Sequence, residues 1–143
     1  MGVLDVAYTD PGSSTQTTTG DVATILEANY MVMGTFFNLR REKIAGFLAD
    51  SMANAIQDLV NGAPPRSETF GAEQKIEAEF RSFIFANEMS TLYKAFSGMD
   101  LSAAAARGVN KRKLHPYAKA NKARPAFVDT GLYVQSFRAW TER

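Results

Sequence analysis

Cysteine is absent from this 143-residue chain, and histidine and tryptophan occur once each. Without cysteine there is no thiol nucleophile, no disulfide framework and no thiolate-ligated zinc. With His115 as the sole imidazole, no histidine cluster can hold a metal and no two-histidine acid–base scheme is possible. Long hydrophobic runs are missing too, since nothing approaches the roughly 18 apolar residues of a membrane span. The opening MGVLDVAYTD has neither the basic flank nor the apolar run of a secretory signal. Val6 stands where a myristoylation signal needs Ser or Thr. The phosphate-cradling, dinucleotide, zinc-protease and serine-hydrolase signatures are all lacking. The expectation is a protein that is not an enzyme, uses no cofactor or metal and binds no membrane.

What the chain has is 45% hydrophobic residues, 22% charged residues and a formal net charge of +1, the profile of one domain able to bury a core. The mean hides an asymmetry. Residues 1–100 carry 7 basic and 13 acidic side chains, net −6, whereas residues 101–143 carry 9 and 2, net +7. Seven of the cations, Arg107, Lys111, Arg112, Lys113, Lys119, Lys122 and Arg124, follow one another with no acid between them. Opposed halves of this kind suit nucleic-acid contact or head-to-tail pairing between copies of a chain. The plainer alternative is a solvated basic loop.

Along the chain, residues 1–20 read as a flexible, extended arm. VLDVAY could form a short strand, and the polar TDPGSSTQTTTG behind it has nothing to bury. Residues 21–143 read as a single helical domain. Apolar side chains recur at helical spacing over 21–61, with Thr19 or Asp21 as cap and Gly62, Pro64 and Pro65 as stop. One helix over that span would run ~60 Å against a domain diameter of about 37 Å, so a break is expected at Asn38–Glu42, where Arg40 and Arg41 interrupt the stripe. A second helix fits 69–97 with Gly98 as its end, and a third fits Leu101–Arg107. A basic loop spans 108–128, and a last helix fits Leu132–Trp140. The fold class is therefore mainly α: two long amphipathic helical regions, short C-terminal helices, an N-terminal arm and a basic loop. Glu73, Glu77 and Glu79 read as a solvated acidic face, because no further ligand lies near them in sequence.

Asp129-Thr130-Gly131 matches the catalytic signature of aspartic proteases, but that chemistry needs two carboxylates paired in a β-rich scaffold, and this chain reads as helical. A mechanical reading fits better. Asp129 can cap the following helix while Thr130-Gly131 lets the backbone turn into it, worth ~1–2 kcal/mol.

The segment from Arg124 to Trp140 resembles a motif of small tailed-bacteriophage virion proteins, the head–tail joining, neck and tail-completion families. In that motif a Pro-x-x-Val-Asp-Thr-Gly-x-Leu-x-x-Ser-hydrophobic sequence follows a helical region. Pro125, Val128, Asp129, Thr130, Gly131, Leu132 and Ser136 correspond, with Leu132 directly after the glycine. The resemblance implies a structural virion subunit, one copy in a homo-oligomeric ring in the phage neck between portal and tail. It also implies neighbouring portal, neck or tail proteins as partners, with packaged DNA within reach of the basic segment. The alternative is a small helical nucleic-acid-binding or regulatory protein using residues 107–124. Against it, helix-turn-helix proteins carry their cations on a recognition helix, whereas here the positive charge lies in a proline-containing loop.

Overall fold

In the computed structural model, residues 1–8, 17–64, 69–98, 125–128 and 131–141 are described. The first turn of helix α1 (Thr19–Tyr30) is set by a capping box. The Thr18 hydroxyl accepts from the Asp21 N–H, and the Asp21 carboxylate accepts from the Thr18 N–H. The cap is thus Thr18 rather than Thr19 or Asp21. Thr19 is fully buried, with its hydroxyl donating to the Leu4 carbonyl and accepting from the Val6 N–H.

Helix α1 stops at Met31, a non-glycine residue in the left-handed region (φ 50°), and α2 (Val32–Val60) follows at once. The break expected at Asn38–Glu42 therefore lies seven residues earlier, and α2 runs unbroken through Arg40. Two local causes account for this. The Glu27 carboxylate accepts from the N–H groups of Met33 (2.8 Å) and Gly34 (3.0 Å), capping α2 from the preceding helix, which the bend makes possible. A Cβ at residue 34 would stand 3.0 Å from Glu27 Oε1, so glycine leaves room for the carboxylate. Arg40, meanwhile, finds its partners on neighbouring helices.

The second helical region is also two helices, α3 (Phe70–Phe85) and α4 (Glu88–Ser97), not one over 69–97. The turn is at Asn87, left-handed at φ 58°, whose side-chain oxygen accepts from the Ala126 N–H at 2.9 Å. A tertiary contact thus holds the elbow that propensity alone did not reveal. Gly98, at φ 67°, ends α4 as its conformational freedom predicts.

The last helix, α5 (Leu132–Ser136), is shorter than the expected 132–140, because Phe137–Arg138 form a strand. Numbered by chain order, β1 (Gly2–Val3) pairs antiparallel with this β2 (Phe137–Arg138), Gly2 opposite Arg138 and Val3 opposite Phe137. The Leu4 N–H donates to the Ser136 carbonyl at 2.8 Å, which continues the pairing. The arm expected over residues 1–20 is therefore bound to its own chain at residues 1–8 and 17–20. Glycine at position 2 lets the Trp140 ring lie close, since a Cβ there would stand 2.7 Å from it and push the half-exposed indole aside.

These contacts surround an aromatic core. Phe80 and Phe137 stack at 3.9 Å between centroids, and Phe36 meets both edge-on, at 5.2 and 6.2 Å. Phe36, Phe80, Phe83 and Phe137 are all fully buried, each side chain contributing about 1.5–3 kcal/mol. The architecture is mainly α: among the described residues there are five helices and one two-stranded sheet. The expected helix at Leu101–Arg107, the basic loop as far as Arg124 and His115 lie outside the described residues.

Candidate functional site

Arg107, Lys111, Arg112, Lys113, Lys119, Lys122 and Arg124 all fall outside the described residues, as do Asp129 and Thr130. The rest of the C-terminal motif is placed, and it works as a junction. Ala126 is tied to the α3–α4 elbow through Asn87, and Phe127, left-handed at φ 65°, meets Tyr30 edge-on at 5.2 Å. Gly131 turns into α5 at φ 79°, its carbonyl accepting from the Gln135 N–H at 3.0 Å. Ser136 is buried and hands its carbonyl to the N-terminal segment, while Leu132 is half-buried at the start of α5. One short stretch thus connects α1, the α3–α4 elbow and β1.

The three glutamates of α3 are not a solvated face. Glu73 accepts from the Thr141 N–H (3.1 Å) and the Thr69 hydroxyl (3.0 Å). Glu77 accepts from Arg81 (3.1 Å) and from the Ala139 N–H (3.4 Å), with Arg138 at 3.8 Å. Together they grip the segment after β2 from below. Glu79 faces α2, where it meets Arg40 Nε at 2.8 Å and Lys43 Nζ at 2.6 Å. The hydrogen bonds from Lys43 and then Arg40 hold the Glu79 carboxyl below its ordinary range, against the opposing effect of burial. Arg40 also reaches both oxygens of Glu88 at 2.7 Å, so one guanidinium ties α2 to α3 and α4. Its ionisation is pushed further up by Glu88 and Glu79. Among the described residues these contacts tie α3 to α2, through Arg40 to α4, and to the segment after β2, a structural role.

A further feature, with no core partner among the described residues, is apolar. On the second half of α2, Met52 (55%), Ile56 (60%), Leu59 (54%) and Val60 (75%) are more than half exposed. The sequence groups them with Ile44, Phe47 and Leu48 in one stripe, yet Ile44 is buried and Phe47 and Leu48 pack against the core. At 100° per residue the two sets occupy adjacent faces of the helix. The available signal was the width of the apolar arc, well beyond the ~100° that one core-facing side needs. The exposed set lies on the side of α2 opposite α3, which the helix meets through Phe36, Arg40, Lys43 and Phe47.

No group of three or more His, Cys, Asp or Glu that could hold a metal is present among the described residues, and no described helix is long and apolar enough to cross a membrane. Comparison with protein-family models, with curated proteins and with solved structures finds no match.

Proposed function

We propose that this chain is a structural subunit of a tailed-phage neck, a head–tail connector, collar or tail-completion protein that acts by assembling into a ring between portal and tail. The observation that carries the reading is the uncovered apolar face on α2, which suits a subunit whose surface is completed by neighbours. The motif from Pro125 to Ser136 supplies the kind of assembly, by its resemblance to neck and tail-completion proteins. The charge division adds direction. An acidic first hundred residues and a basic remainder attract head to tail, and a heterologous contact repeated about an axis closes into a ring. Neighbouring virion proteins, and DNA passing through the lumen, are the further partners of the basic segment.

The test is incorporation. A labelled copy produced together with the virion proteins should appear at the neck in negative-stain images of particles. Changing Lys111, Arg112 and Lys113 to Glu should lower its incorporation, and so should high salt during assembly, which shortens the Debye length to about 3 Å at 1 M. Particles that never contain the label overturn the reading. Binding of the free protein to one duplex sequence far above others would replace it with the nucleic-acid-binding alternative, which the cations at 107–124 favour.

A further inference from the structure

From the pattern of side-chain sizes on the exposed face of α2, we infer that in the free protein this face is covered by the same face of a second copy, antiparallel about a two-fold axis. The inference rests on the reading of the chain as an assembly subunit and adds what protects its surface before assembly. Between Ala45 and Val60 an arc of about 140° on α2 carries no charge, because the two charged residues in that span, Asp50 and Asp58, project elsewhere. Burying the arc therefore strands no ion.

The sizes along the arc are complementary to themselves. Large side chains occupy its C-terminal end, and small ones, Ala45, Gly46 and Ala49, occupy its N-terminal end, all exposed. Space around Gly46 is open, with nothing within 4 Å of a Cβ built there. With the two-fold axis passing between Met52 and Ala53, Ala45 faces Leu59 of the second copy, Gly46 faces Val60, and Ala49 faces Ile56. Each large residue thus enters a gap left by a small one, and Met52 meets its own counterpart beside the axis. A parallel pairing would set large against large and leave the small end empty. Area sets the strength. The four large side chains present on the order of 400 Å², enough to mark an interaction site. That is below the about 800 Å² per partner of a standard stable complex, so the pair is reversible. A two-fold contact is closed on itself and cannot propagate a polar ring. The dimer is then a storage form, and assembly must open it.

The absence of native cysteine makes the register directly testable on the full chain. Under mild oxidation, Met52→Cys should form a disulfide dimer, since its two copies meet at the axis. Ala45→Cys alone should stay uncrosslinked, but should link to Leu59→Cys when the two variants are mixed. Light scattering of the unmodified protein should show a concentration-dependent monomer–dimer equilibrium, weakened about tenfold or more by Ile56→Glu with helical circular dichroism unchanged. A protein monomeric throughout the micromolar range overturns the proposal, and so does self-linking by Ala45→Cys in place of Met52→Cys. Neither result touches the neck assignment, which incorporation of the unmodified chain decides. The oxidised Met52→Cys dimer should fail to incorporate and recover on reduction; incorporation while crosslinked would refute its role as a storage form.

Discussion

Replacing Arg40 with alanine should destabilise the protein by about 2 kcal/mol, and the size of that loss can be built from its contacts. The guanidinium donates through Nε to Glu79 at 2.8 Å and through Nη2 to both oxygens of Glu88 at 2.7 Å. Its carbon also sits 5.9 Å from the centre of the Phe83 ring. Hydrogen bonds to charged groups contribute about 1.5–3 kcal/mol when buried. Here the side chains are 22% exposed for Arg40, 17% for Glu79 and 35% for Glu88. The Glu79 contact therefore counts for about 1.5 kcal/mol, and the wetter Glu88 contact for ~0.5 kcal/mol.

Urea denaturation followed at 222 nm measures the loss directly, and in a thermal scan it corresponds to a midpoint lower by roughly 6–8 °C. Arg40→Lys should lose only about 1 kcal/mol, because it keeps the charge but not the planar fork that reaches two helices. In a double-mutant cycle, Arg40→Ala and Glu79→Gln should be coupled by about 1 kcal/mol. An Arg40→Ala variant within ~0.5 kcal/mol of the parent, or a cycle with no coupling, would refute the assignment of Arg40 as the tie between α2, α3 and α4.

Three further outcomes follow from the same structure. The carboxyl of Glu79 is held below its ordinary value of 4.5, so its contribution to stability is complete above that pH and is lost as pH falls through the lower folded value. Glu79→Gln should flatten that part of the acid-denaturation curve, and an unchanged curve would count against the lowered carboxyl. Glu27→Ala leaves the N–H groups of Met33 and Gly34 without their carboxylate and should lower stability by ~1–2 kcal/mol; urea titration showing no loss would mean that Glu27 does not cap α2. Tyr133 is buried with a hydroxyl that finds no hydrogen-bond partner among the described residues, and burial pushes its phenol up. Tyr133→Phe should therefore be neutral or stabilising, by up to ~1 kcal/mol, and a clear destabilisation would reveal a bond to that hydroxyl.

The helical class was legible because it rests on local signals: 3.6-residue periodicity, and stops at Gly62 and Gly98 that need no tertiary partner. The breaks were not. Met31 and Asn87 are neither glycine nor proline, and each turns the chain because a side-chain contact rewards the turn, Glu27 reaching across the bend to cap α2 in one case and the far-off Ala126 bonding Asn87 in the other. Arg40 misled for a related reason. A charge within an apolar stripe looks like an interruption until its partners, Glu79 and Glu88, are known from 39 and 48 residues away. The strand at Phe137–Arg138 depends likewise on Gly2 and Val3, at the opposite end of the chain. Of the candidate site, the motif residues from Pro125 to Ser136 were found by resemblance, and the α2 face was in view only as part of one apolar stripe along 21–61. Periodicity gives the angle between two side chains on a helix, not which of them is covered.

The two halves of α2 therefore carry separable burdens. Val32, Phe36, Arg40 and Ile44 lie in its first half, where they join the aromatic core and the ion-pair cluster. Substitutions there act on folding, as the Arg40 series measures. Met52, Ile56, Leu59 and Val60 lie in its second half and are already more than half exposed, so replacing them removes little buried surface from the monomer. A polar residue at Ile56 should even suit the isolated chain, because it ends the exposure of a large apolar group to water. That asymmetry gives the assembly tests their force. A variant such as Ile56→Glu that melts like the parent, yet no longer pairs or enters particles, assigns the loss to the contact itself. A variant that instead unfolds would show that this face is covered within the monomer, and the assembly reading of α2 would fall with it.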